Sequence, residues 1–487
     1  MRRDIVSGFV VFLLALPLSV GIAIASGAPA SAGLLAAIVG GLLGSWLGSS
    51  EVTINGPAAG LIVVMLAAVQ TLGKGDMVLG FRLALAAMVF AGALQVLGGA
   101  LKLGRVALVS PLPVVHGMLA SIGITIMVKQ LPVLLGADGS IWEPNYVVAF
   151  VGLSSGLLLI FFERFRKGFL QWIPGPLLAV VFGVILAFAF DFEHPHQIQF
   201  WAHPFSVDTH HLLNVPDNLA HALLSPDWSA IGSLEFWAAV FTIAAVSSIE
   251  SLLSVYAVDQ IDPWKRKSNL DRELLSKGVC NVLLGFIGGL PIISEIVRSK
   301  ANVTAGAKTR WSNFFHGLFL LIFLLAFPQM LHWIPLTSLA AILIVVGFRL
   351  ADPLHWVESF KKDRRSFILF ALTIVFVQMS DLLKGVFLGF VLDFIIKYFE
   401  TRDIKGLFVL KHVEKKERDL KIIQILGPLV STNLQQLRRM VEAVEESDTK
   451  GKVQIIFPQK DAVLDESARD YLSSIADHVR IEGVSVA

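Results

Sequence analysis

Two short apolar stretches of this chain open in the same way, Gly56-Pro57-Ala58-Ala59-Gly60 in the first half and Leu290-Pro291-Ile292-Ile293-Ser294 in the second. Gly and Pro interrupt each hydrophobic run, and the backbone groups freed by such a break need protein or a watery cavity around them, because lipid cannot satisfy them. Proline suits the first position of a helix. A helix start presents free N–H groups and about half a unit of positive charge, which together attract anions. Two matched starts predict a site that holds a small anion between inverted repeats without a cationic side chain touching it. A kink in each of two ordinary helices is the alternative reading of the same residues.

Ionisable residues inside apolar segments are costly and usually functional. Glu250 lies in the middle of a long apolar segment, with Ser247 at i−3 and Ser254 at i+4 on the same helical face. This trio is the candidate cation-coupling site, since a carboxyl group at that depth can exchange a proton between a dry and a wetter conformation. A protonated Glu bonding two helices together is the alternative. Glu295 stands at the start of the second broken segment, where an anion would arrive. Ionised, it competes for the same helix dipole; protonated, it donates a hydrogen bond. Arg298, three residues on, either neutralises Glu295 or adds positive potential behind the site. Ile293, Ser294, Glu295, Ile296 and Arg298 therefore join Gly56, Pro57, Ala58, Ala59 and Gly60 as candidate substrate-binding residues.

With 55% hydrophobic and 16% charged residues, 34 Phe and a mean hydropathy of +0.71, the chain has too little polar surface for a soluble protein of 487 residues. A net charge of +2 and the lack of a Gly-rich phosphate loop argue against nucleic acid or nucleotide partners. The single cysteine, Cys280, excludes an intramolecular disulfide and a cysteine-rich metal site. Six of the twelve histidines (His194, His196, His203, His210, His211, His221) crowd one loop without regular ligand spacing, so no metal site is expected there. No nucleophile stands beside a base, which argues against an enzyme.

Spanning a bilayer takes about 20 apolar residues, and half-helices fit where their ends are covered. On that ruler fourteen segments are predicted, at 5–25, 32–48, 56–72, 82–101, 112–135, 147–162 and 173–191, then 235–258, 272–288, 291–305, 314–331, 336–348, 366–381 and 383–399. Lys and Arg mark the cytoplasmic connections. They flank the N-terminus (Arg2, Arg3) and every second link from the fourth onward (Lys102, Arg105; Arg164, Arg166, Lys167; Lys265, Arg266, Lys267, Arg272; Lys300, Lys308, Arg310; Lys361, Lys362, Arg364, Arg365), whereas 191–235 contains neither. Both termini are therefore expected in the cytoplasm, with Trp46, Trp172, Trp237 and Trp333 in the interfacial belts. The predicted architecture is an all-α polytopic membrane protein. Residues 1–400 form its membrane domain, with repeats at 1–192 and 235–400 around an outer loop at 193–234. A small cytoplasmic α/β domain occupies 401–487, with strands in LKIIQILGPL and GKVQIIFPQ and amphipathic helices at 434–447 and 466–478.

At these motifs the chain resembles the SulP family of inorganic anion transporters. The resemblance runs through LPLSVGIAIASGAPASAGL, INGPAAG, SSIESLLSVYAVD and GGLPIISEIVRSKANVTAGAKTRWSN, and so covers nearly the whole chain. It implies a seven-plus-seven inverted repeat, a core of segments 1–4 and 8–11 moving as an elevator against a gate of 5–7 and 12–14, a homodimer in the inner membrane, and a C-terminal STAS domain. Glu250 falls at the family's cation-coupling position, where Glu resembles the proton-coupled members and Asp the sodium-coupled ones. Ala58 and Ala59 lack a hydroxyl that some bicarbonate carriers have, Glu295 replaces a small residue, Arg298 matches a recurrent arginine, and Glu466 stands where many STAS domains keep a phosphoacceptor. The resemblance implies symport of a small inorganic anion, bicarbonate first, with a proton as the coupling ion and no other cofactor. Sulfate or a dicarboxylate as substrate, sodium coupling, an uncoupled anion channel and an anion sensor are the alternatives, and a nucleobase carrier shares the architecture.

Overall fold

The computed structural model describes residues 1–104, 110–137, 143–165, 167–168, 173–200, 203–214, 223–380, 382–417, 420–445, 452–458, 463–476 and 479–484. Arg105, Arg166, Trp172 and His221 lie outside the described residues.

Helices occupy the predicted segments to within a few residues. The first half holds α1 (Arg2–Ala25), α2 (Ala30–Leu47), α3 (Ile62–Gly73), α4 (Met77–Ala100), α5 (Leu112–Leu135), α6 (Tyr146–Phe165) and α7 (Gly175–Ala189). The second holds α8 (Leu234–Ile261), α9 (Leu270–Ile287), α10 (Ile296–Thr304), α11 (Trp311–Ala326) and α12 (Leu336–Ala351). A short α13 (Pro353–Lys362) follows, then α14 (Arg364–Met379) and α15 (Leu382–Thr401). Among the described residues six helices (α1, α2, α4, α5, α6 and α8) are long and apolar enough to cross a membrane, and four shorter apolar ones include α7, α11 and α12.

The expectation of an all-α membrane domain needs correction at the two breaks. Residues Ile54–Pro57 form strand β1 and Ile292–Glu295 form β4, and these pair antiparallel, with Ile54 opposite Glu295 and Pro57 opposite Ile292. Each interrupted backbone thus satisfies the other, which answers the cost of breaking a helix in an apolar interior. Pro57 ends a strand and Pro291 precedes one, so neither is the first residue of a helix. Helical structure starts two residues after Pro57, in a 3-10 turn at Ala59–Leu61, and five residues after Pro291, at α10. Between α7 and α8, β2 (His196–Phe200) and β3 (His203–Val207) form a hairpin.

By its contacts the chain divides into two compact units. One comprises Met1–Gly104 and Ile122–Asp352; the other comprises Arg105–Ser121 and Pro353–Ala487. In the first, α4 packs along α9 and α2 along α11; α1 packs on α11 and α4 on α8; α3 meets α8 and α10 meets α1. Glycines set these approaches. A Cβ at Gly41 would lie 2.5 Å from the Cα of Gly317, and one at Gly278 would lie 2.6 Å from the backbone nitrogen of Val96. The surrounding core is built from Phe12, Leu16, Leu34, Leu320 and Leu339.

In the second unit, α16 (Ile404–Phe408) leads into a four-stranded sheet of β5 (His412–Glu417), β6 (Leu420–Ile425), β7 (Lys452–Ile456) and β8 (Arg480–Glu482). The β5–β6 pair is antiparallel and the other two are parallel. Helices α17 (Ser431–Glu445) and α18 (Glu466–Ile475) supply Leu434, Leu437, Val441 and Leu472 to a core shared with Ile423 and Ile455. β6, β7 and both helices follow the sequence pattern. The short, charged β5 (HVEKKE) and β8 (RIE) carry too little apolar alternation to be read from it.

Candidate functional site

The β1–β4 pair is held from every side by polar side chains. Ile54 N donates to Ser299 Oγ at 2.9 Å, and Asn55 N to Asn313 Oδ1 at 3.2 Å. Asn313 Nδ2 in turn donates to Gly40 O at 3.1 Å. On the β4 side, Ile292 N donates to Asn281 Oδ1 at 2.7 Å, and Ser294 N to Ser251 Oγ at 3.0 Å. Asn281 Nδ2 reaches Gln95 Oε1 at 2.8 Å, and Gln95 Nε2 reaches Ser247 Oγ at 2.8 Å. Side chains of α8, α9, α10 and α11, with α4 bracing α8 and α9 through Gln95, thereby fix the two strands whose ends launch α3 and α10. Because the strands run antiparallel, these helices start at opposite ends of a ladder four residues long.

Residues 56–60 run between two ionisable side chains of opposite type. On one side lies Arg298, fully buried, whose Nη2 donates to Pro57 O at 3.2 Å. Its Nε and Nη1 have no hydrogen-bond partner. A Cβ at Gly56 would meet Nη1 at 2.5 Å, so only glycine leaves the guanidinium this place. On the other side lies Glu250, whose carboxyl group fills the space a Cβ on Gly60 would need. Its Oε2 is buried without a partner. Ala58 and Ala59, both buried, connect the two ends. A buried cation with two unpartnered guanidinium nitrogens attracts anions, and a carboxyl group with a buried, unpartnered oxygen can take up or release a proton or a cation.

The structure thus brings Gly56, Pro57, Ala58, Ala59, Gly60, Glu250, Ser294 and Arg298 into one region. Ile293 and Ser294 are buried within β4, Glu295 ends it, and Ile296 is exposed at the start of α10. Ser247 sits apart from the expected trio. Its hydroxyl donates to Ile243 O at 2.5 Å and accepts from Gln95, so it braces α4 against α8. Among the described residues no hydrogen bond joins Ser247 or Ser254 to Glu250. Sequence reasoning missed Ser251, Gln95, Asn281, Asn55 and Asn313, although a polar side chain within an apolar segment is the signal that flags each. It also missed His316 on α11, fully buried with both ring nitrogens unpartnered. Among the described residues no group of His, Cys, Asp and Glu is arranged to hold a metal.

This is the fold of a polytopic membrane protein. The chain superposes on the transmembrane domain of a cyanobacterial bicarbonate transporter, BicA, with a TM-score of 0.68 at 23% identity, covering 79% of this chain and 97% of that one. It superposes on the murine Solute Carrier 26 family member A9 anion transporter with a TM-score of 0.69 at 15% identity, covering 99% and 85%. At these identities the likeness fixes the fold alone. The family follows from the sequence: residues 1–373 match the sulfate permease family, and the chain belongs to it. YvdB of Bacillus subtilis, to which sulfate transport is provisionally ascribed, is 27% identical over 98% of this chain and 89% of its own length. The bicarbonate transporter BicA of Picosynechococcus is 25% identical over 80% and 69%.

Proposed function

We propose that this membrane protein is a secondary transporter of a small inorganic anion, bicarbonate first and sulfate second, which binds at residues 56–60 and 293–298 and moves together with a proton carried by Glu250. The observation that carries the reading is the pairing of β1 with β4 between a buried, partly unpartnered Arg298 and a buried, unpartnered Glu250 oxygen. One group draws an anion and the other takes a cation, and a single five-residue stretch lies against both. With no hydroxyl at Ala58 or Ala59, the donors near the anion are backbone N–H groups and the free guanidinium nitrogens of Arg298.

The packing pattern supports a seven-plus-seven inverted repeat. Adding or subtracting seven exchanges the α4–α9 pair with α11–α2, the α1–α11 pair with α8–α4, and the α3–α8 pair with α10–α1, while β1–β4 maps on itself. A repeat related in this way places its substrate at the shared axis, where the two strands meet. In this reading the segments number fourteen, both termini are cytoplasmic, the chain works as a homodimer in the inner membrane by an elevator motion, and the small domain is a STAS domain. The names of YvdB and the BicA proteins favour the two anions.

Uptake into proteoliposomes tests the reading, with bicarbonate, sulfate, chloride and fumarate each offered under an imposed proton or sodium gradient. Accumulation of bicarbonate or sulfate that follows the proton gradient is the expected result. Currents that ignore pH would make the protein a channel, and no uptake of any anion would overturn transport. Accumulation driven by sodium alone would refute proton coupling.

A further inference from the structure

The second compact unit contains a buried charge cluster that no anion chemistry requires. Lys397, on the penultimate turn of α15, is 3% exposed. Its Nζ lies 2.7 Å from Asp393 Oδ2, one turn earlier on the same helix. It lies equally close, 2.7 Å, to Asp465 Oδ2, at the start of α18 in the small domain. It also donates to Ser431 Oγ, at the start of α17, at 2.9 Å. Asp393 and Asp465 are 6% and 8% exposed and Ser431 is fully buried. Asp465 does more than meet the lysine. Its Oδ2 accepts from Ser431 N at 2.7 Å and its Oδ1 from Ala468 N at 2.9 Å, so one carboxylate caps the first turns of both small-domain helices. Nearby, Ser467 Oγ accepts from Leu112 N at 3.2 Å, and Arg365 of α14 pairs with Glu400 of α15 and reaches Leu464 O at 3.5 Å.

We propose that Lys397 is the joint through which the small domain holds α15, so that the end of this helix and the starts of α17 and α18 open and close as one unit. A change at either small-domain helix start, such as docking of a partner protein there, is then felt by α15 through the lysine and not through the connecting residues 402–411. The physical case rests on what removal would leave. Without the ammonium group, two carboxylates from two parts of the chain remain buried and within reach of one another, and both lose their only cation within 4 Å among the described residues. A buried ion pair contributes little net stability against an apolar replacement, but breaking it by deleting one partner is strongly unfavourable, which is why such groups serve to fix registry. The connection after α15, by contrast, turns through Arg402 in the left-handed region at φ 50°, and beyond that turn Gly406 O, Leu407 O and Leu410 N bond to α17 through Asn433, Thr432 and Gln436, so it belongs to the small domain and is joined to α15 through the Arg402 turn.

Hydrogen exchange by mass spectrometry on the full chain in nanodiscs tests the joint. In Lys397→Met, peptides covering 394–401 and 431–436 are expected to exchange at least tenfold faster, together, while β6 and β7 keep their protection. Insertion of Gly-Ser after Arg402 is expected to leave both peptides unchanged. Faster exchange in only one of the two peptides, or an insertion that loosens α15 as much as Lys397→Met does, overturns the proposal. Should Lys397→Met unfold the small domain, seen as lost protection of β6 and β7, Ser431→Ala decides. It removes one of three partners, keeps both ion pairs, and is expected to raise exchange at 394–401 severalfold; unchanged exchange there refutes the joint.

Discussion

Gly60→Ala separates the candidate site from the scaffold around it. A Cβ at this position would overlap the carboxyl group of Glu250, including both oxygens and Cδ. Ordinary contact between such atoms needs about 3.5 Å, so Oε1, 1.7 Å from that Cβ, must retreat by about 2 Å. It can do so, because it is the far end of a flexible side chain and Oε2 has no hydrogen bond to break. The fold should therefore survive with a stability change below about 1 kcal/mol, in the range of a tolerated substitution. Function should not survive. A displacement of 1 Å in a reacting group costs on the order of a hundredfold in rate, and coupled uptake should fall by about that factor. Gly41→Ala is the reference: its Cβ would lie 2.5 and 2.7 Å from the backbone Cα and nitrogen of Gly317, which cannot swing aside. That variant should lose about 1 to 3 kcal/mol by overpacking, with a lower unfolding temperature. Proteoliposome uptake under a pH gradient and thermal unfolding in detergent read the two effects. Gradient-driven uptake at the unsubstituted rate in Gly60→Ala would refute the placement of Glu250 in the transport site.

Four further outcomes are expected. Glu250→Gln should retain anion binding and lose gradient-driven accumulation, with Glu295→Gln as the control; the reverse pattern in uptake assays would move the proton to Glu295. Ala58→Phe or Ala59→Phe should abolish anion binding measured by calorimetry while the protein still inserts, since both positions are buried against the broken backbone. Arg298→Met should weaken anion binding by tenfold or more, and Gly56→Ala should do so less severely by pushing Nη1 from its place; equal affinity in all three proteins would remove the arginine from the site. In the loop after α7, the hydrogen bond and charge of Asp191, 2.8 Å from His194 Nδ1, hold this imidazole above its ordinary pKa. The ring pair is therefore formed at low pH and lost as pH rises through that raised pKa, and NMR titration of Asp191→Asn should return the value to the ordinary one.

The positions of the helices were legible because an apolar run of about 20 residues needs no partner to declare itself. The absence of Lys and Arg from the long link 191–235 was equally direct to read. Glu250 and Arg298 stood out as charges inside such runs, and Gly56-Pro57 and Leu290-Pro291 as interruptions. What those interruptions become was less visible. Strand pairing joins residues about 240 positions apart, and a four-residue strand such as Ile-Asn-Gly-Pro carries no alternation to announce it. Ser247 was grouped with Glu250 on helical spacing, yet its hydroxyl faces Gln95, because the neighbour that wins a hydrogen bond is chosen by packing between helices.

The sequence by itself therefore determined that the chain belongs in a membrane, where its helices lie, and that Glu250 and Arg298 are charged residues set in apolar surroundings. Each of these follows from the transfer energies of single residues or short runs. Only the tertiary structure decided that the two breaks satisfy one another as β1 and β4, that Gly56 and Gly60 exist to admit Arg298 and Glu250, and that Lys397 ties α15 to the small domain. Those facts depend on atoms brought together from distant parts of the chain. A hydrogen bond or an ion pair gains its energy only at contact distance, so no local pattern encodes its partner.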